Sequence, residues 1–71
     1  HRRDREQQIL GSISEISRTP AEIVDNVYVG LNPMLKPAAV RNVLAHLIDL
    51  YERGNVKTDK FSVSAKFSKV N

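Results

Sequence analysis

Apolar residues recur three and four positions apart in three stretches of the chain, a spacing that places them on one side of an α-helix. In chain order, the stripes are formed by Ile9, Leu10, Ile13 and Ile16; by Ile23, Val24, Val27 and Tyr28; and by Val40, Val43, Leu44, Leu47, Leu50 and Tyr51. The third stripe is the longest and the clearest. The pattern predicts helices over residues 4–17, 20–29 and 37–53.

Start and stop signals accompany the second and third helices. Thr19 is followed by Pro20 and Glu22. A threonine caps a helix, a proline suits its first position, and a glutamate at the third position closes a capping box. Gly30 and Gly54 follow the two helices. We expect both glycines to end them, because glycine adopts the left-handed conformation without strain.

The signals of the first helix are weaker. Asp4 is its predicted N-cap. Gly11 lies inside the helix, where glycine costs about 1 kcal/mol relative to alanine. Close packing of a neighbour and chance are two explanations for this glycine, and the sequence leaves both open.

The helical spacing ends at Gly54. Residues 55–59 and 65–70 are predicted to form two strands, joined by a loose turn over residues 60–64. Val56 and Phe67 are expected to face inward, with Phe61 a third candidate. Because an isolated hairpin is unstable, it must pack against the helices. Three helices followed by a hairpin predict a mainly α winged helix-turn-helix, with residues 1–71 forming one domain.

The composition restricts what chemistry the chain can hold. The 71 residues include no cysteine, which excludes disulfides, thiolate zinc sites and thiol nucleophiles. No apolar run approaches the roughly 20 residues that span a bilayer, so no membrane partner is expected. The net charge of +3 allows attraction to polyanions without requiring it.

Candidate catalytic and metal-binding sets are incomplete. His46 and Asp49 lie three positions apart on the third helix, with Asn42 one turn earlier, and could face one ion. Zinc needs three or four good ligands, and no second helical histidine or cysteine is present. The serines lie outside any nucleophile elbow, and the three separate glycines make no phosphate-binding loop. The sequence therefore predicts no catalytic or metal set in this chain alone.

Nucleic-acid binding is an open alternative, because the third helix of a winged helix often enters the major groove. The outer face of this helix balances two positive against two negative residues and lacks surplus positive charge. Arg41 and Asn42, near its start, are the candidate base contacts. The excess charge lies in the hairpin, where four lysines and Asp59 sum to +3; the lysines are Lys57, Lys60, Lys66 and Lys69. Either they bind single-stranded nucleic acid together with Phe61 and Phe67, or they solvate an exposed strand.

Several runs of residues resemble one family. They are His1-Arg2-x-x-Arg5-Glu6-x-Gln8-Ile9-Leu10, Thr19-x-x-Glu22-Ile23-Val24, and, as the most specific, Pro37-Ala38-Ala39-x-Arg41-Asn42-Val43-Leu44-Ala45-His46-Leu47, followed by Gly54-x-Val56. Together they resemble the C-terminal winged-helix domain of β-lactamase-like metallohydrolases. That group includes a mitochondrial single-strand endoribonuclease. The resemblance covers about residues 1–57.

The resemblance implies that the chain is a C-terminal accessory domain of a larger hydrolase, an endoribonuclease or a thioester or ester hydrolase. The implied partner is a metallo-β-lactamase-fold catalytic domain on the same polypeptide, which binds zinc through a motif that this chain lacks. Single-stranded RNA is a candidate substrate, and a cytoplasmic or mitochondrial location follows by the same resemblance. The exposed side of the third helix, with Asn42, Ala45 and His46, is then expected to contact the catalytic domain or to line its substrate groove. The alternative is an independent nucleic-acid-binding winged helix that uses Arg41 and the hairpin lysines.

Overall fold

A computed structural model describes the backbone of residues 2–70 and the side chains of residues 4–70. It contains, in order, helix α1 (Arg2–Ser12), helix α2 (Pro20–Val27), a short 3-10 helix (Pro33–Leu35), helix α3 (Lys36–Glu52), strand β1 (Val56–Thr58) and strand β2 (Phe67–Lys69). The two strands are antiparallel, and Lys57 lies opposite Ser68. The predicted three helices and hairpin of a winged helix are confirmed.

The capping box of α2 forms as predicted. The Glu22 backbone N–H donates to Thr19 Oγ1 at 3.3 Å, and the Thr19 backbone N–H donates to Glu22 Oε1 at 2.9 Å. That second hydrogen bond is the main reason why the pKa of Glu22 lies below its ordinary value of 4.5. Burial opposes the shift, whereas the Thr19 hydroxyl and the charges of Lys66 and Arg18 add to it. The box fixes where α2 begins.

Glycine ends α3 in the predicted way. Gly54 has a φ of +82°, and its N–H donates to the Tyr51 carbonyl at 3.0 Å. The N–H of Asn55 donates to the Leu50 carbonyl at 2.9 Å. These two bonds form a Schellman motif, which satisfies carbonyls that the helix end leaves open. Helix α2 ends at Val27, with Tyr28 as its C-cap, so the prediction that Gly30 ends this helix is wrong; Gly30 lies in the following turn with a φ of +78°.

The prediction for α1 is wrong at both ends. The helix already includes Arg2, so Asp4 lies in its first turn and is not the N-cap. It ends at Ser12, so Ile16, the last residue of the predicted apolar stripe, lies outside the helix and is 57% exposed. The cause is a bridge to β2, in which Arg18 exchanges backbone hydrogen bonds of 3.0 and 2.8 Å with Phe67. The chain must leave the helix early to reach that strand.

Gly11 is not explained by close packing. A Cβ atom built at this position would meet no other atom within 4 Å. Of the two explanations that the sequence left open, close packing of a neighbour is therefore excluded.

One core joins the helices and the hairpin. Among the residues with described side chains, the core cluster consists of eleven that are at most 5% exposed: Ile9, Ile13, Ile23, Val24, Ala39, Val43, Leu47, Leu50, Val56, Ala65 and Phe67. Pro20, at the start of α2, is buried as well. Val56 and Phe67 thus face inward as predicted. Tyr51 and Phe61 do not, because their rings pack edge to face against each other, 4.8 Å apart, outside the core.

Candidate functional site

The outer side of α3 carries the residues predicted to contact a partner. Asn42, Ala45 and His46 follow one another at helical spacing, and we call them the polar stripe. Asn42 and Ala45 are exposed, and His46 is half-buried. The side chains of Asn42 and His46 make no hydrogen bond with the part of the chain that the structure describes. The structure therefore brings the three residues together and leaves their polar groups available to another molecule.

A group of ion pairs lies beside the C-terminal end of the polar stripe. The Arg53 guanidinium donates to Glu6 at 2.8 Å and to Asp49 at 2.9 Å, which links α1 to α3. With Arg53 46% exposed, such pairs contribute little to stability. They do neutralise the positive charge at this end of α3. Arg53 therefore adds no surplus positive charge to the outer side of α3, in agreement with the expectation from the sequence.

A second surface was not predicted from the sequence. An open groove of about 520 Å³ runs beside the start of α3. We call it the apolar groove; its lining residues are Pro33, Lys36, Pro37, Val40, Arg41 and Val63. Val63 comes from the turn between the strands, which folds back towards α3. No periodicity could have placed it there, because the turn has no regular structure.

Charge at the apolar groove comes from basic residues alone. Lys36 Nζ lies 2.8 Å from a carboxylate oxygen of Asp25 and is thereby balanced. Arg41 is exposed and makes no ion pair with the described residues. It lies four residues before Ala45 on α3, which places the two side chains on one face, so the groove and the polar stripe adjoin. Arg41 is therefore the charged group at their border.

The hairpin lysines are exposed, but they do not form one site with the aromatic residues. Lys57 and Lys66 line a shallow cleft of about 350 Å³ on the outer face of the strands, and Lys60 and Lys69 do not line it. Phe67 is fully buried and cannot stack on a base. This burial matches the interpretation in which Phe67 belongs to the core.

The described residues do not fit a metal site. No group of three His, Cys, Asp or Glu residues within residues 4–70 could hold an ion. The pair of His46 and Asp49 gains no third ligand from the fold, and Asp49 is paired with Arg53. His1 lies outside the described residues. No helix in the described part of the chain has the length and hydropathy needed to cross a membrane.

Comparison with known proteins gives one match. The profile of a family described as the β-lactamase associated winged helix domain matches residues 19–62. The matched segment contains α2, α3, the polar stripe and every residue of the apolar groove except Val63. No curated protein and no solved structure matches the chain.

Proposed function

The chain belongs to the family of β-lactamase-associated winged helix domains, and from that membership we propose that it packs on a β-lactamase-fold hydrolase domain and helps to form the substrate groove. The polar stripe is the observation that supports this role. It presents an uncharged surface whose polar groups have no partner among the described residues, and a polar rim of this kind borders contacts between proteins.

The chemistry of this proposal belongs to the partner domain. The described residues supply no set of metal ligands, so zinc, where the hydrolase uses it, is held by the partner. The partner would hydrolyse an ester, a thioester or the phosphodiester of single-stranded RNA. This chain helps to shape the substrate groove and to position the substrate. Its polar stripe borders the substrate groove, where Asn42 and His46 can hydrogen-bond to the substrate or to the partner domain.

The test uses the natural protein, or natural complex, that contains this chain and its β-lactamase-fold domain. Ala45→Glu places a charge in the polar stripe, and Ile16→Glu places the same charge at an exposed position between α1 and α2. We expect Ala45→Glu to speed protease cleavage at the junction near residue 1 and to lower kcat/KM for hydrolysis. Ile16→Glu should leave both unchanged. Unaltered cleavage and hydrolysis with Ala45→Glu would contradict the proposal.

The four exposed lysines of the hairpin favour a second candidate function, an independent nucleic-acid-binding winged helix. Arg41 would contact bases and the lysines would contact phosphates. Binding to a single-stranded oligonucleotide would then weaken steeply with salt. Removing one phosphate contact, as in Lys60→Ala or Lys66→Ala, should reduce the salt slope by about one. Absence of binding at low salt would remove this candidate.

A further inference from the structure

Several apolar side chains at and beside the apolar groove are exposed to water. Met34 is 87% exposed and Leu35 is 55% exposed, both in the 3-10 helix that also contributes Pro33. Val63, on the far wall of the groove, is 51% exposed. Exposed apolar side chains grouped in one region, as Met34 and Leu35 are beside Pro33, are typical of a site of interaction. The polar stripe has no comparable apolar content.

The charge of the groove specifies the chemistry of its occupant. Its lining contains Lys36, which is paired with Asp25, and Arg41, which makes no ion pair with the described residues. An occupant that fits has an apolar projection with a carboxylate placed to reach Arg41. A nucleic-acid backbone fits poorly, because prolines and valines would desolvate its phosphates without hydrogen-bonding to them. The groove therefore favours a protein surface over a nucleic acid.

The apolar groove and the polar stripe lie close together, as a contact with one partner domain requires. The groove and the polar stripe together follow residues 33–46, a length of about 20 Å along α3 and the turn before it. A single domain can cover both at once.

We infer that the apolar groove is the centre of the surface that docks the β-lactamase-fold domain, and that the polar stripe is the rim of that contact. This inference rests on the proposed function and adds which residues hold the two domains together. The occupant is the acidic and apolar surface of the partner domain. Apolar centres surrounded by polar rims are the usual organisation of protein contacts, and most of the binding energy comes from the centre.

The experiment compares three variants that each add one glutamate at an exposed position. Val63→Glu changes the apolar groove, Ala45→Glu the polar stripe, and Ile16→Glu a position away from both. In the natural protein, the rate of protease cleavage between the domains measures the undocked fraction; where the partner is a separate chain, its Kd is measured instead. We expect a loss of docking of about tenfold for Val63→Glu, a smaller loss for Ala45→Glu and none for Ile16→Glu.

Arg41 supplies an independent arm of the same test. Arg41→Glu should weaken docking, because the new carboxylate repels the acidic surface of the partner domain. Raising the salt concentration should reduce that effect, since salt screens the repulsion between surface charges. Arg41→Lys retains the charge and should keep most of the docking. Thermal unfolding of each isolated variant shows that the substitution acts on docking and not on folding.

The outcomes separate the inference from the proposed function. A larger loss with Ala45→Glu than with Val63→Glu would overturn the inference and leave the proposed function standing. Firm docking that none of the groove substitutions affects would also overturn it. If the two domains of the unaltered protein tumble independently, the proposed function itself fails.

Discussion

The inner and outer sides of α3 are built from one helix but are subject to different constraints. On the inner side, Ala39, Val43, Leu47 and Leu50 are at most 5% exposed and touch the rest of the core. On the outer side, the polar stripe and Arg41 make no hydrogen bond or ion pair through their side chains with the described chain. The inner side holds the fold together. Because the outer side contributes little to folding, its residues are available for a partner.

The largest effect on stability should come from a glutamate on the inner side of α3, measured against the same substitution on the outer side. Ala39→Glu would bury a charge without a partner, which we expect to destabilise the domain by about 3 kcal/mol or more. Ala45→Glu lies in water and should change stability by less than about 0.5 kcal/mol. Urea denaturation of the isolated chain measures both. Similar losses at the two alanines would show that the sides of α3 do not differ as described.

Leucine truncations sharpen the boundary between the two sides. Leu47 is fully buried, so Leu47→Ala should cost about 2–5 kcal/mol through lost burial and the cavity left behind. Leu44 belongs to the same apolar stripe, but it packs against the core only in part. We therefore expect a smaller loss for Leu44→Ala in the same denaturation experiment. Equal losses would place Leu44 on the inner side.

A third effect comes from Thr19, which stabilises α2 without being part of the core. Thr19→Ala removes the hydroxyl that accepts from the Glu22 N–H and should cost about 1 kcal/mol. Thr19→Ser keeps a hydroxyl and serves as the control. If both variants lose the same stability, the cap does not act through its hydroxyl.

The smallest effect depends on pH and comes from Glu22. Because folding lowers the pKa of this carboxyl, the stabilisation is present above its ordinary value of 4.5 and is lost as the pH falls through the folded pKa. The difference in Tm between the unaltered chain and Glu22→Ala should thus be largest near neutral pH and shrink below pH 4.5. A difference that grows on acidification would contradict the lowered pKa.

Local signals predicted much of the fold. Apolar spacing located the three helices, the Thr19 capping box located the start of α2, and Gly54 located the end of α3. The end of α1 was not predictable, since the bridge between Arg18 and Phe67 joins distant parts of the chain. Interactions between distant residues override local periodicity in such segments.

The candidate site also has one part that the sequence predicts and one part that it does not. The polar stripe lies on one helix, so spacing alone was enough to assemble it. The apolar groove needs Val63 from the turn between the strands to meet Val40 and Pro37 of α3, a contact that only the folded chain shows. Spacing also fails to predict the position of Tyr51 and Phe61, because their rings pack against each other outside the core. Residues that meet through irregular turns leave no periodic signal.

Native mass and metal content of the natural protein test the central claim most directly. Our account predicts that the chain is found covalently joined to, or in stable complex with, a β-lactamase-fold domain, in a zinc-containing assembly much heavier than the 8.0 kDa of these residues. A metal-free species of 8.0 kDa without such a partner would contradict it. In that case, binding of nucleic acid by the hairpin lysines becomes the function to test.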